Sequence, residues 1–361
     1  MNLLGLTYPQ LVSLFRDKYG RGEFHAAALY RGFYGSSIQE PTDNEAFSNS
    51  KALRRRLRSD LEIAHPTQVA QATQDGVTKL VFRLCDGNTI ETVIIPMANH
   101  ATVCVSSQVG CRMGCRFCRT GQLGWIRHMN AAEIVSQVYA VKVAMGMDVR
   151  NVVFMGMGEP LDNFDQVVQA IRVMEDQRGL NIAKSRITLS TVGLPHRIGQ
   201  LAGLNWPQLK LALSLNAPND VLRSELMPVN RRYPLEQLKK SLAVYPLGRG
   251  NTIFMEYVLI KGINDNPTYA QQLRKFIGDL PVKLNLIPYN PGPGSAFQAP
   301  DDKDVERFHR ALIDQAIFVR VRVSKGAGIM AACGQLGGVR PEAGSSPKRK
   351  TTKYRPVTPA D

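Results

Sequence analysis

The pattern of apolar and polar positions changes character near residue 96. Before that point, two runs of alternating β-branched and polar residues predict strands, and the Asp86-Gly87 pair between them carries the signal of a tight hairpin turn. Helical periodicity precedes these strands. The elements predicted in this first region are a helix over 7–19, a mixed segment, a basic helix around 49–62, and strands over 78–84 and 89–96.

From about residue 101, short apolar runs rich in β-formers alternate with longer amphipathic stretches. This alternation predicts parallel βαβ units with right-handed crossovers, and hence an α/β fold built on an open sheet or a barrel. The predicted strands lie at 101–107, 151–156, 186–190, 209–215, 252–260, 282–288 and 318–323. The predicted helices lie near 130–146, 163–178, 233–245, 267–279 and 302–316.

The two patterns also predict a division into domains. We expect a small N-terminal α/β accessory domain over residues 1–96 and a core domain over 97–338. The remaining residues, 339–361, are rich in Gly, Pro, Ser, Lys and Arg, a composition typical of a disordered basic tail.

The charge balance favours a polyanionic partner. The 361 residues include 45 Lys and Arg against 30 Asp and Glu, a formal net charge of +15. Basic residues concentrate at 51–58, at 348–355, and at 112–128, where no acidic residue occurs. Because such side chains bind phosphates and release counterions, we expect RNA or DNA as the partner, bound by the accessory domain. The alternative is a solvated basic surface.

Compartment and redox chemistry follow from what the sequence contains. No stretch approaches the roughly 18–20 apolar residues that span a bilayer, and the N-terminal residues lack the features of a secretory signal, so we expect a cytoplasmic protein without membrane association. Cysteines in that compartment serve as ligands or catalysts more often than as structural disulfides. The six cysteines are Cys85, Cys104, Cys111, Cys115, Cys118 and Cys333.

Small and hydrogen-bonding residues follow the ends of several predicted strands. In a parallel α/β fold the carboxyl ends of the strands meet at one edge, where ligands bind. We therefore expect a single site there, although such residues are also common in ordinary turns. After the first strand come the cysteines at 111–118, and the later strand ends contribute Gly158, Glu159, Ser190, Ser214, Leu215, Asn216 and Asn290.

Cys111, Cys115 and Cys118 supply three thiolates from one short loop with C-x₃-C-x₂-C spacing. An ordinary 4Fe–4S cluster uses four cysteines, one for each iron, so three leave one iron open to an external ligand. The amine and carboxylate of S-adenosylmethionine (SAM) suit that position. The strand-end residues would then bind SAM, with Glu159 and nearby carbonyls at its ammonium. The alternative is a Cys₃His zinc site completed by His128.

At these residues the sequence resembles the RlmN/Cfr family of radical SAM RNA methyltransferases. The resemblance covers residues 78–338 and implies a partial (βα)₆ barrel with a small N-terminal accessory domain. The most discriminating motif is AACGQL, far from the cysteine loop. The matching segments are VCVSSQVGCRMGCRFC (103–118), FMGMGEPLDN (154–163), LSTVG (189–193), LMPVNRRYPL (226–235), PYNP (288–291) and AACGQLGG (331–338).

The resemblance implies a mechanism. A first SAM methylates Cys333, and a second is cleaved to a radical that takes hydrogen from that methyl group. The carbon then joins an adenine ring, Glu91 removes the adenine proton, and Cys104 releases the RNA by forming a disulfide with Cys333. Carbon 2 of an adenine in 23S rRNA, with some tRNAs, is the expected target. The implied reductant is an electron donor such as flavodoxin, and we expect a monomer.

Two departures from the family pattern border the predicted site. Asn216 replaces the usual histidine after Ser214-Leu215, and GAGIM (326–330) stands where an acidic stretch is common. Three alternatives therefore stay open. They are methylation at adenine carbon 8, a radical SAM enzyme acting on a peptide or small molecule, and an RNA-binding protein with a structural metal.

Overall fold

The computed structural model describes residues 1–35, 40–62, 66–322 and 324–337. The predicted tail over 339–361 and the basic run at 348–355 lie outside the described residues. Within the described ranges, no helix is long and apolar enough to cross a membrane.

The described chain contains twelve strands and eleven α-helices, together with several short 3₁₀ turns. The strands are β1 Thr67–Gln74, β2 Val77–Arg83, β3 Thr89–Pro96, β4 Ala101–Cys104, β5 Gln108–Gly110, β6 Trp125–His128, β7 Val149–Phe154, β8 Ile187–Thr191, β9 Lys210–Ser214, β10 Ile253–Leu259, β11 Val282–Pro288 and β12 Val319–Val321. The helices are α1 Tyr8–Tyr19, α2 Glu23–Tyr34, α3 Lys51–Asp60, α4 Arg119–Leu123, α5 Ala131–Tyr139, α6 Phe164–Glu175, α7 Pro195–Gly203, α8 Asp220–Leu226, α9 Leu235–Ala243, α10 Tyr269–Ile277 and α11 Asp302–Asp314.

A ten-stranded sheet organises the fold, in the order β1-β2-β3-β4-β7-β8-β9-β10-β11-β12. Every pair from β4 to β12 is parallel, and helices α5, α6, α7, α9, α10 and α11 connect the successive strands. These strand–helix units form a partial (βα)₆ barrel, which confirms the α/β fold predicted from the alternating pattern.

The helices cover one face of the parallel strands because their apolar stripes need burial. Helix α5 begins with a capping box in which Asn130 and Glu133 each accept a backbone N–H of the other, and it buries Ile134, Val135 and Val138. Facing it, Val103 and Val152 are fully buried. Apolar burial on this face is the main stabilising term of the core.

The N-terminal region joins the same structure. Strand β3 pairs antiparallel with β4, so β1–β3 extend the sheet of the barrel. Tyr139 stacks on Phe33 with ring centroids 5.1 Å apart, and the Tyr34 hydroxyl donates to the Leu3 carbonyl. The division predicted at residue 96 therefore falls between two hydrogen-bonded strands, and its standing as a domain boundary stays a prediction.

Several elements were not predicted, each for a local reason. Strand β1 is polar and exposed along nearly its whole length, so it shows no alternation. Helix α2, in the segment described as mixed, begins without a side-chain cap. Helix α8 has only seven residues, too few for a clear period. The nine-residue α7 was also missed, and its N-terminus at Pro195 has no side-chain cap. The short β5–β6 pair and α4 belong to the cysteine region.

Gln137 joins the accessory strands to the barrel from the middle of α5. Its Oε1 accepts the Thr92 hydroxyl of β3 and the Ser106 amide beyond β4, both at 2.8 Å, and its Nε2 donates to the Ser106 carbonyl at 2.8 Å. The side chain is fully buried. One glutamine thus satisfies three buried polar groups at the junction of β3, β4 and α5.

We expect Gln137→Leu to lower the free energy of unfolding by roughly 2–4 kcal/mol, because it leaves those buried groups without partners. Chemical denaturation measures the change. Gln271→Leu, on the exposed side of α10, is the matched control and should change stability by less than about 0.5 kcal/mol. Equal stability of the two variants would contradict this role for Gln137.

Candidate active site

The strand register places a series of polar side chains on one face of the sheet. Residues opposite each other in a ladder point to the same side, as do positions two apart in one strand. Val81 lies opposite Glu91, and Val93 lies opposite both Lys79 and Cys104. Lys79, Glu91 and Cys104 therefore share the face that the helices leave uncovered.

The same face continues across the parallel strands. Cys104 aligns with Val153, and the registers from there carry the face to Ser190 in β8 and Ser214 in β9. Ser214 lies opposite Glu256, which in turn lies opposite Asn285. The sheet thus brings the predicted residues Glu91, Cys104, Ser190 and Ser214 to one interior surface.

Glu256 and Asn285 were not predicted as site residues. The Asn285 amide donates to Glu256 Oε1 at 2.8 Å, and Arg322 Nε donates to Asn285 Oδ1 at 3.0 Å. Burial raises the pKa of Glu256, while the Asn285 hydrogen bond and the Arg322 charge oppose that rise. Their only sequence signal is a polar residue inside an apolar strand run.

The cysteine loop follows β4 and is shaped by glycines. Gly110 has a φ of +76°, and a Cβ there would lie 2.0 Å from the Gly124 carbonyl oxygen, so no larger residue fits. The Cys111 amide donates to that same carbonyl at 2.8 Å. The Arg116 amide donates to Leu226 O at 2.9 Å, which binds the loop to the end of α8.

The three loop thiols lie within electrostatic reach of one another. Burial, chiefly, raises the pKa of Cys111 to about 12, and it raises the pKa values of Cys115 and Cys118 as well; the charge of Cys118 acts in the same direction on the other two. Backbone N–H groups of Met113 and Thr120 donate toward the sulfurs of Cys111 and Cys118. Buried thiolates with N–H donors need a cationic partner, so this donor set fits an iron–sulfur cluster.

His128, the fourth ligand of the zinc alternative, is bound elsewhere. Its Nδ1 lies 2.9 Å from Gln108 Nε2, and its ring packs edge-on against Trp125. Among the described residues, His128 and the three cysteines are not grouped as ligands of one metal ion, whereas a 4Fe–4S cluster would bind each thiolate at a separate iron.

The GMGEP segment beyond β7 packs directly on the segment beyond β4. A Cβ at Gly156 would lie 2.6 Å from Val105 O, and one at Gly158, where φ is +104°, would lie 2.8 Å from the Gln108 amide nitrogen. The Glu159 amide donates to Gln108 Oε1 at 2.8 Å. These glycines permit the close approach of two strand ends.

The Glu159 carboxylate connects its own loop to the end of β8. Its Oε1 accepts the Leu161 amide at 3.0 Å, and its Oε2 accepts the Val192 amide at 2.8 Å. The side chain is 2% exposed, and burial raises its pKa to about 7 despite these hydrogen bonds. The predicted ligand of the SAM ammonium is therefore also a structural link between two strand ends.

Asn216 adopts a φ of +58° directly after β9 and is buried. Its Oδ1 accepts the Val258 amide at 2.9 Å, and its carbonyl accepts Asn264 Nδ2 at 2.9 Å. The preceding Leu215 donates its amide to Glu256 O at 3.0 Å. Both predicted residues thus attach the end of β9 to β10.

Arg223 in α8 was not predicted. It binds the rim of the site, the set of residues at the carboxyl ends of the parallel strands. It is 0% exposed, and its guanidinium donates to Val192 O at 2.5 Å, Leu215 O at 3.0 Å and Asn230 Oδ1 at 2.9 Å. Burial lowers its pKa to about 10, and the nearby Cys115 opposes that change. In the sequence it was only a basic residue in a segment for which no element was predicted.

Asn290 lies at a small cleft between the end of β11 and the cysteine loop. Its Nδ2 donates to the Ser324 hydroxyl at 2.7 Å. The cleft is lined by Phe117, Arg119, Gln122, Tyr289, Asn290, Gly292, Pro293, Ser295, Gly334 and Gln335. It therefore lies where the cysteine loop meets the segment that carries Cys333.

Cys333 lies close to the other predicted cysteines although it is distant in sequence. A negative charge on Cys333 raises the pKa of Cys104, and one on Cys118 raises the pKa of Cys333, so these sulfurs lie within electrostatic reach of one another. The Arg119 amide, next to Cys118, donates to Gly334 O at 2.7 Å. Cys333 keeps solvent access, while the protein atoms packed around its sulfur raise its pKa to about 11. Cys85 is exposed and lies apart, in the β2–β3 turn.

Comparisons with known proteins agree with this arrangement. A family model described as the radical SAM superfamily matches residues 105–270. The dual-specificity RNA methyltransferase RlmN of Alcanivorax borkumensis is 41% identical over 352 residues, covering 94% of this chain and 90% of that protein. Its namesake in Syntrophobacter fumaroxidans is 45% identical over 320 residues, covering 88% and 92%. The crystal structure of a radical SAM methyltransferase from Sphaerobacter thermophilus covers 93% of this chain and 99% of its own, with a TM-score of 0.84 and 38% identity.

Fold, cysteine loop and comparisons together define a radical SAM methyltransferase, an enzyme that uses a 4Fe–4S cluster and SAM. Within that class, the chain belongs to the RlmN family. The family predicted from the sequence motifs is thereby confirmed.

We expect Arg223→Met to lower the free energy of unfolding by roughly 2–4 kcal/mol. The loss of its hydrogen bonds to rim carbonyls costs more than is gained by no longer burying a charge. Thermal or chemical unfolding measures the effect. Arg231→Met, at an exposed position nearby, is the control and should be nearly neutral. A neutral Arg223→Met would mean that the rim does not depend on this side chain.

Proposed function

We propose that the chain methylates an adenine ring carbon in RNA, and that Cys111, Cys115 and Cys118 bind its cluster. The single observation that carries this proposal is the 2.7 Å hydrogen bond from the Arg119 amide, next to Cys118, to Gly334 O, which brings Cys333 to the cysteine loop and within electrostatic reach of Cys104. A radical SAM enzyme without a cysteine methyl carrier has no need for that pairing. The bound cluster and SAM would supply an electron and a radical that takes hydrogen from an unreactive carbon.

The rim residues would bind and orient SAM. Gly158 and Glu159 would receive its ammonium, where the Glu159 carboxylate keeps one acceptor site beyond the Leu161 and Val192 amides and the Thr191 hydroxyl that it accepts. Ser190 and Ser214 face the same interior surface. Asn290 lines the cleft beside the cysteine loop. Leu215 and Asn216 complete the set at the end of β9.

Cys333 would accept a methyl group on sulfur and carry its carbon to the adenine. Glu91, 2% exposed and on the interior face, would then remove the adenine proton. Cys104, as its thiolate, would attack the Cys333 sulfur, so that an S–S bond forms as the S–C bond to the RNA breaks; the electron pair of that bond stays with the carbon, which takes a proton and becomes the methyl group of the product. The raised pKa of Cys104, about 12 because of burial, protects this thiol from earlier reaction.

RNA as the substrate is supported by the relatives' printed names and by charge. Helix α3 buries only Leu53 and Leu57, so its Lys and Arg side chains lie at the surface of the N-terminal region. Within residues 112–128, the other basic stretch, Arg112 already pairs with Asp162 and Arg127 with Glu133, so these two arginines already have anionic partners within the protein. Basic side chains on the first region would bind the phosphate backbone.

The proposed target is carbon 2 of an adenine in 23S rRNA, with tRNA as a further substrate, because QVGC and GMGEPLDN resemble the carbon-2 branch of the family. Flavodoxin or a similar donor would supply the electron to a monomeric enzyme. Unstacked bases rather than a short sequence motif would be recognised.

We expect anaerobically reconstituted protein to bind about four irons and four sulfides per chain. Cys115→Ala should lose most of them, because one iron loses its thiolate. Iron and sulfide analysis with absorption spectra checks this. Cys85→Ala, at an exposed position in the β2–β3 turn, is the matched control and should bind as wild type. Colourless, iron-free wild-type protein would contradict the assignment of the loop.

We expect Cys333→Ala to keep its cluster yet fail to methylate RNA, since the carbon has no carrier. Mass spectrometry of rRNA and tRNA nucleosides, from a deletion strain complemented with each variant, measures the product; chromatographic retention separates 2-methyladenosine from 8-methyladenosine. Complementation by Cys85→Ala should be complete. Full methylation by Cys333→Ala would refute the carrier mechanism.

A further inference from the structure

The loop over residues 330–337, which carries Cys333, is bound at both ends by one buried ion pair. At its start, Lys79 Nζ donates to Met330 O at 3.3 Å. At its end, the Gly337 amide donates to Glu91 Oε2 at 3.0 Å. Lys79 Nζ lies 3.7 Å from Glu91 Oε1. The two side chains therefore act on a single loop from one place in the sheet.

Burial makes this pair unusual. Lys79 is 8% and Glu91 2% exposed, in strands whose other residues are largely apolar. They are diagonal neighbours on one face, because Lys79 lies opposite Val93 and Val81 opposite Glu91. A buried lysine needs an anion and hydrogen-bond acceptors, which here are Glu91 and the loop carbonyl. The ion pair and the loop therefore stabilise each other.

The middle of the loop is bound from the opposite side. The Arg119 amide donates to Gly334 O and the Thr120 hydroxyl to Leu336 O, each at 2.7 Å. Gln335 Oε1 accepts the Ala332 amide at 3.1 Å, closing a turn around Cys333. The Cys333 sulfur is thus fixed between the sheet and helix α4, and its position depends on both attachments.

We propose that Lys79 is a positioning residue that, with Glu91, clasps the ends of the Cys333 loop and sets where the Cys333 sulfur lies for methyl transfer. The inference rests on the proposed role of Cys333. It gives Glu91 a task before any RNA is bound, in addition to proton removal.

Hydrogen exchange of the full-length, cluster-containing enzyme tests the clasp. We expect Lys79→Met to speed exchange of the peptide covering 331–337 roughly tenfold, and Lys79→Arg to restore it. The α10 peptide over Tyr269–Ile277 should be unchanged and reports that the fold is intact. Should Lys79→Met fail to fold, Glu91→Gln is the second variant. It keeps an acceptor for the Gly337 amide while removing the charge that attracts Lys79, and it should also speed exchange of the loop. Unchanged loop exchange in either folded variant overturns the proposal.

Methylation of Cys333 by SAM without RNA separates this role from proton removal. We expect Lys79→Met and Glu91→Leu to slow that step about tenfold, measured as the mass of the Cys333 peptide. A Glu91 that only removes the adenine proton would leave it unchanged, and that result would overturn the clasp. If the wild type itself never methylates Cys333, the proposed function fails, while the exchange experiment still tests the clasp.

Discussion

The hydrogen-bond register of the ten-stranded sheet is the constraint on which the active site depends. Parallel pairing from β4 to β12 brings the carboxyl ends of the strands to one edge. Because side chains in a strand alternate between the two faces of the sheet, every second residue points to the interior face. A slip of one residue in β8 would exchange Ser190 for Leu189 and bury a hydroxyl under the helices. Burial of the apolar face of the sheet under the helices therefore also determines which residues point to the polar interior face. This burial, rather than any contact with a ligand, sets the positions of the site residues.

Much of this architecture could be predicted from the sequence because its signals are local. The predicted strands over 89–96 and 282–288 coincide with β3 and β11, and the predicted helices contain α5, α6 and α9 to α11. Strand alternation and amphipathic periods are read within a few residues. Helix α2 and strand β1 lack such signals, since one begins without a cap and the other is exposed on both faces. They form because neighbouring elements cover or pair with them.

The site residues likewise divide into those with a local signal in the sequence and those without one. The cysteine loop could be predicted from spacing alone, and the strand-end residues from the edge rule, because each argument uses neighbours in sequence. The placement of Cys333 beside Cys104 followed only from the family resemblance, since the two cysteines are 229 positions apart in the sequence. Lys79 and Arg223 were missed because a charged residue in a short element reads as a surface position. Only tertiary contacts distinguish a buried cation with several acceptors from a solvated one.

Asn216 shows how a departure from the family pattern can be accommodated without loss of the site. A left-handed φ of +58° is less costly for asparagine than for most side chains. Its Oδ1 accepts Val258 N, its carbonyl accepts Asn264 Nδ2, and its own amide donates to Glu256 O at 3.3 Å. These bonds hold the ends of β9 and β10 together. A histidine here would have to make the Oδ1 contact through a ring nitrogen, so the neighbouring backbone is adapted to the amide. The residue that replaces the usual histidine thus preserves the shape of the rim, and its Oδ1 keeps one acceptor site beyond the Val258 amide.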